Sequence, residues 1–277
     1  MNEFRADLHC HTTCSDGTVT PLEIVQLASD LNLQGLSITD HDTIAAYREA
    51  IPAAKIKNLS LISGIELSSV HRQTSIHILA YSFSLDSPFM EAFCELHRKR
   101  RELRYQNILN LLASHNMPLS LDDLSFSTST HSLGRPHIAS AMVKKGYVQN
   151  IQQAFREYLG EGRPCYIPGT TFSVEETLGV IHKANGLAII AHPHLIDNIG
   201  IVRDLLEMPF DGIEGYYARF PASAHERWLK IGAHKGWMIT GGSDFHGAIK
   251  PHISLGSSWI NKETFTILQN HFQHNQS

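Results

Sequence analysis

Short apolar runs alternate along the chain with stretches whose apolar residues recur at helical spacing, a pattern that predicts an α/β fold on parallel strands. Seven runs read as strands: one ending at Asp7-Leu8-His9, then residues 36–39, 61–64, 75–81, 187–191, 212–214 and 237–240. Thr20, Pro21 and Glu23 mark a capped helix start, followed by Ile24, Leu27, Ala28 and Leu31 at helical spacing. Ser173-Val-Glu-Glu176 marks another, followed by Leu178 and Ile181. Residues 87–161 carry only helical patterning. A long helix is expected from Pro88 to about Ser114, with Phe89, Phe93, Leu96, Leu103 and Leu111 on its apolar side. Two shorter ones are expected near 136–145 and 151–158. The expected architecture is a distorted seven-stranded (β/α) barrel over 1–86 and 162–277, interrupted by a helical insertion at 87–161.

Six of the seven strand candidates carry a His or an acid at or near the strand. In βα barrels the C-terminal strand ends build the active site. His9 and His11 are two apart, so on an extended strand they share one face, and Asp16 follows in the next loop. Asp244 and His246 repeat that spacing on the last strand, while His41, Glu66, His77 and His192 each accompany a different one. Two imidazoles and a carboxylate suit Mn, Fe or Zn. Nine such groups exceed what one ion needs and suit two or three. Asp7, Asp40 and Asp42 are expected either behind them, orienting imidazoles, or in caps and turns.

Composition narrows the function. Histidine is unusually frequent, 18 against 23 Lys and Arg together, and the net charge of −4 argues against a duplex-DNA-binding surface. Cys10, Cys14, Cys94 and Cys165 form no Cys-x-x-Cys pair. The start shows no secretory pattern and no apolar run is long enough to span a membrane, so the expected location is the cytoplasm.

The motifs DLHCHTTCSDG, ITDHD, GIELS, IIAHP and GGSDFH closely resemble the polymerase-and-histidinol-phosphatase (PHP) superfamily of metal-dependent phosphoesterases. The resemblance covers most of the chain and implies a distorted seven-stranded barrel with a multinuclear metal site. By motif, His9, His11, Glu66 and Asp244 would hold one ion, Asp16, His41 and His246 a second, and Glu66, His77 and His192 a third. The insertion and its Leu133-Gly-Arg135-Pro-His137 motif further resemble nucleoside 3′,5′-bisphosphate phosphatases and the related 5′→3′ exoribonuclease RNase AM. Arg135, at the start of a helix, is the expected phosphate contact, with a surface salt bridge as the alternative, and His137 either reaches the substrate or caps that helix. Relatives place an Arg-Tyr pair after the AHP motif, where this chain has His194-Leu195-Ile196; Arg219 or Lys250 would be the compensating cations.

The implied activity is hydrolysis of nucleoside 3′,5′-bisphosphates, or of short 5′-phosphorylated oligoribonucleotides, through a metal-activated hydroxide. Manganese is the first expectation, with iron or zinc as alternatives. A histidinol-phosphatase-like small-molecule phosphatase is the alternative enzyme, and a non-catalytic metal-stabilised binding domain the alternative class. The basic run His97–Arg104 reads either as a solvated helix face or as a guide for phosphates.

Overall fold

The computed structural model describes residues 3–124, 134–169 and 172–275; Leu133 of the insertion motif lies outside them. In chain order the elements are β1 (Ala6–Asp7), α1 (Pro21–Asp30), β2 (Gly35–Leu36), α2 (Tyr47–Lys57), β3 (Ser60–Leu61), β4 (Gly64–His71) and β5 (Thr74–Tyr81). Then come α3 (Pro88–Ser114), α4 (Leu121–Leu124), α5 (Arg135–Lys144), α6 (Ile151–Ala154), α7 (Val174–Lys183), β6 (Leu187–Ile190) and α8 (Ile199–Leu206). The chain ends with β7 (Gly212–Tyr217), α9 (Ala222–Lys235), β8 (Met238–Gly242) and α10 (Lys262–Asn275).

The fold is mixed α/β. The strands form two sheets, β1-β2-β3 and β4-β5-β6-β7-β8. The single run expected at 61–64 is divided into β3 and the start of β4, so among the described residues eight segments stand where seven were expected. Main-chain contacts join the sheets at both sides. Leu8 N–H donates to Gly241 O at 3.3 Å and Asp244 N–H to His9 O at 2.7 Å, while Glu66 N–H donates to Asp40 O at 3.3 Å.

The expectation of parallel strands fails at β5, which runs antiparallel to both β4 and β6. The cause is local. Only Arg72 and Gln73 connect β4 to β5, both at positive φ (45° and 67°), and a two-residue hairpin can join only antiparallel strands.

Both predicted helix starts form. Thr20 and Ser173 each complete a capping box, with Glu23 and Glu176. The long helix also forms, but of its expected apolar face only Phe93 and Leu111 turn to a core. Phe89, Leu96 and Leu103 are 50%, 47% and 66% exposed, whereas Met90, Phe93, His97, Tyr105, Ile108, Leu109 and Leu112 are buried. Met90 and Phe93 join the core formed with β4, β5 and α7. Tyr105, Ile108, Leu109 and Leu112 join a separate core with Ile138, Met142, Ala154 and Leu159. One helix thereby contributes to both cores. Among the described residues no helix is long and apolar enough to cross a membrane.

Candidate metal centre

Glu66 is the hub of the site. It sits on β4, buried, with its main chain bridged to the segment after β2. Its Oε1 lies 2.8 Å from His77 Nδ1 and 2.8 Å from His192 Nε2. Its Oε2 lies 3.1 Å from His11 Nε2, 3.3 Å from His9 Nε2 and 3.4 Å from His41 Nδ1. Asp244 Oδ1 is 3.4 Å from both His9 and His11, and Asp16 Oδ1 is 3.4 Å from His246 Nε2. All nine residues expected from the strand ends therefore meet in one place, although the first and last of them, His9 and His246, are 237 positions apart in the chain.

Three overlapping groups each bring their donor atoms within 4.8 Å of one another: His9, His11, Glu66 and Asp244; His11, Asp16, His41 and His246; and His41, Glu66 and His77. The first matches the set implied by motif. The second adds His11, and the third has His41 where His192 was expected; His192 touches the cluster through Glu66.

This geometry fits cations. His11 Nε2 and His41 Nδ1 are buried without a hydrogen bond, even though Glu66 Oε2 is near both. Lone pairs that converge on common space without bonding one another are what a metal requires. Burial opposes charge throughout, but neighbouring carboxylates overcome it at His11, whose pKa is pushed up to about 9 by Asp244, Glu66 and Asp16. Burial likewise raises Glu66 and Asp244, yet the surrounding imidazoles hold both well below the usual carboxylate range. The acids are therefore ionised and ready to bind a cation.

Of the two roles open to Asp7, Asp40 and Asp42, the hydrogen bonds match the one in caps and turns. Asp7 accepts main-chain N–H groups from His9, Ser243 and Gly256 at 3.1, 2.9 and 2.7 Å. Asp40 accepts Thr12 N–H, Thr12 Oγ1 and Ser15 Oγ at 2.7, 2.6 and 2.6 Å. Asp42 accepts Ser68 N–H and Oγ at 2.7 and 2.9 Å and pairs with Arg101. These carboxylates brace the strand ends and the 12–15 loop; they hydrogen-bond none of the cluster imidazoles. That role falls to Glu214, whose Oε1 lies 2.8 Å from His9 Nδ1. Tyr217 Oη and Lys250 Nζ donate to Asp244 Oδ2 at 2.7 and 2.6 Å. Neither Glu214 nor Tyr217 is identified by motif, but an acid inside the apolar run 212–214 was a visible signal.

Arg135 opens α5, and an added Cβ on the preceding Gly134 would meet Asp16 Cβ at 4.0 Å, so the insertion borders the cluster. His137 is buried, and its Nδ1 accepts the Gly134 N–H at 2.8 Å. His194 is no cationic substitute for an arginine. It packs against Tyr217, Phe220, His225 and Trp228, and burial with the nearby His225 and His192 pushes its pKa down to about 4. Arg219 is exposed, while Lys250 is committed to Asp244.

Residues 7–168 match the PHP domain family. The chain belongs to the PHP family. It is 33% identical over 92% of its length to the 5′-3′ exoribonuclease Rnm of Escherichia coli, covering 89% of that protein. It is 28% identical to a 3′,5′-nucleoside bisphosphate phosphatase of Chromobacterium violaceum, covering 87% of this chain and 86% of the relative. A crystal structure from Bifidobacterium adolescentis, described as a metal-dependent phosphoesterase, superposes with a TM-score of 0.85 at 30% identity, covering 96% of both chains. This PHP protein is accordingly a metal-dependent phosphoesterase, a hydrolase, with a His/Glu/Asp cluster able to bind metal.

Proposed function

We propose that this PHP phosphoesterase removes phosphate from nucleoside 3′,5′-bisphosphates and acts on short 5′-phosphorylated oligoribonucleotides. Two or three divalent ions, manganese first, would be held by His9, His11, Asp16, His41, Glu66, His77, His192, Asp244 and His246. We read the joined sheets as a distorted seven-stranded barrel, β3 and β4 counting as one strand, with residues 87–161 as a helical insertion beside its mouth. The observation that carries the substrate class is the position of that insertion: the start of α5, with Arg135 and His137, stands next to Asp16.

Bound divalent ions would supply Lewis-acid activation of water and charge neutralisation at phosphate. The chain's own residues do the rest. Glu66 joins five imidazoles carried on or just after four strands into one cluster, and Asp40 fixes the loop that carries Asp16. Burial lowers the pKa of His137, so the ring is neutral; with Nδ1 accepting from Gly134, its N–H is at Nε2 and would offer a hydrogen bond to a phosphate oxygen. Arg135 supplies a permanent positive charge at the same border.

The test is a substrate panel on Mn²⁺-loaded protein: adenosine 3′,5′-bisphosphate, a 5′-phosphorylated RNA trimer and histidinol phosphate. The expected order of kcat/KM places the two nucleotide substrates first, with turnover abolished by chelator. Preference for histidinol phosphate would overturn the substrate assignment and leave the phosphoesterase assignment standing.

A further inference from the structure

The two carboxylates in the cluster's buried four-residue group are placed differently. Glu66 turns both oxygens to imidazoles: Oε1 to His77 and His192, Oε2 to His9, His11 and His41. Asp244 turns only one. Its Oδ1 lies 3.4 Å from ring nitrogens of His9, His11 and His246. Its Oδ2 is occupied by donors from the other side, Tyr217 Oη at 2.7 Å and Lys250 Nζ at 2.6 Å.

Local backbone features bring both donors to that oxygen. Along a regular strand Glu214 and Tyr217, three positions apart, would face opposite ways. The pairing of β7 with β8 slips between Glu214 and Tyr216, and this bulge leaves Tyr217 buried as Glu214 is, with Tyr216 turned outward. Gly215 permits it, since an added Cβ there would sit 2.7 Å from side-chain carbons of both Ile239 and Leu229. The Tyr217 ring packs against His192 and His194, with centroids 5.6 and 5.8 Å away. Lys250 arrives by a shorter route. After His246 the chain makes a tight turn at Gly247–Ile249, where Ala248 N–H donates to Thr18 Oγ1 at 2.8 Å. That turn returns Lys250 to Asp244, six residues back.

A carboxylate offers about four lone-pair positions, two on each oxygen. Tyr217 and Lys250 take those of Oδ2, so Asp244 presents one oxygen to the space it shares with His9, His11 and Glu66. Carboxylates otherwise bind divalent ions through one oxygen or both. A catalytic ion, in turn, needs a position that the protein leaves open.

We propose that Tyr217 and Lys250 are positioning residues that restrict Asp244 to one cation-facing oxygen and so keep a coordination position open for the reaction. The Lys250 charge also offsets the negative charge that Asp244 would lend to a cation, which leaves that cation a stronger Lewis acid. The proposal rests on the cluster as a metal centre and holds whichever phosphate ester is the substrate.

Plain support of a ligand and restriction of a ligand have opposite consequences. Removing a group that only supports a ligand weakens metal binding, by about 10–100-fold. Removing the restriction frees a second oxygen and takes away a repelling charge, so binding should hold or tighten.

The test compares wild type, Lys250→Arg and the double variant Tyr217→Phe, Lys250→Met, which keeps both side-chain shapes. Co²⁺ affinity is read by competition against a fluorescent chelator. The visible absorption of the Co²⁺-saturated protein is recorded beside it, because its intensity falls as coordination number rises. Turnover of 4-nitrophenyl phosphate completes the set. The double variant should bind Co²⁺ at least as tightly as wild type, with a weaker visible band at equal metal content and a lower kcat. Lys250→Arg, which keeps a charged donor, should retain the wild-type spectrum. A loss of about tenfold or more in Co²⁺ affinity by the folded double variant would overturn the proposal, as would an unchanged spectrum. Neither binding nor spectrum involves a substrate, so failure of the substrate assignment would leave both readings intact.

Discussion

Glu214 lies 2.8 Å from Nδ1 of His9, both fully buried, and its second oxygen accepts the main-chain N–H of His192 at 2.6 Å. One carboxylate thus orients an imidazole from the first strand and anchors a cluster residue after the sixth. His192 needs the anchor, because its φ of 25° is a conformation that non-glycine residues rarely hold. Outer partners of metal ligands are typically worth about 10–100-fold in metal affinity. Glu214→Gln keeps only one accepting oxygen, so its metal affinity should fall within that range, and Glu214→Ala should lose more. Competition against a fluorescent chelator measures both. Wild-type affinity in Glu214→Ala would show that His9 is oriented by packing alone.

Metal content should exceed one equivalent of Mn, Fe or Zn per chain, since the donors form three overlapping groups. Elemental analysis after loading decides this, and a plateau at one ion would refute the multinuclear centre.

His9→Ala and Asp244→Ala should leave a folded protein with about a hundredfold less activity, or lower still, because each removes a group aimed at the reacting phosphate's surroundings. Circular dichroism checks the fold. Near-normal turnover by either variant would place the chemistry elsewhere.

Gly242 ends β8, where an added Cβ would sit 2.4 Å from both the Cβ and the main-chain nitrogen of His9. Backbone cannot retreat as a side chain can. Gly242→Ala should therefore cost about 1–3 kcal/mol or more by overpacking and should displace His9 from the cluster. Thermal melts and metal content should fall together; a stable variant with full metal would contradict this contact.

Acid should destabilise the protein partly through His97. Its ring is buried against Phe93 and Phe172, and burial, helped by Arg100, pushes its pKa down to about 3. Asp42, 3.4 Å away, does not reverse this because Arg101 and Ser68 already occupy that carboxylate. The unfolded chain takes up this proton near pH 6.5 while the folded one does not, so stability falls as pH drops from about 6.5 towards 3, by up to about 1.4 kcal/mol per unit. Melting temperatures recorded between pH 7 and pH 4 should decline less steeply for His97→Gln. Identical slopes would remove His97 from the acid response.

Much of the centre was legible because its chemistry is local in sequence. A His-x-His pair on an extended strand shares one face wherever that strand lies, and acids or histidines ending apolar runs collect at one end of a sheet. The helix starts at Thr20 and Ser173 were legible for the same reason: a capping box is closed within four residues.

What the order of residues determined by itself was the family, the mixed α/β class and the identity of the groups that meet around Glu66. Tertiary structure decided the rest. The inward face of α3 could not be read from hydrophobicity, because the helix packs on two different cores and buries His97 while exposing Leu96 and Leu103. The partners of the aspartates were equally hidden, since Asp7 is bonded by Gly256 and His9 by Glu214, across 249 and 205 residues of chain. Periodicity reports which way a side chain points from its own backbone; which group stands opposite is settled only when distant segments close on one another.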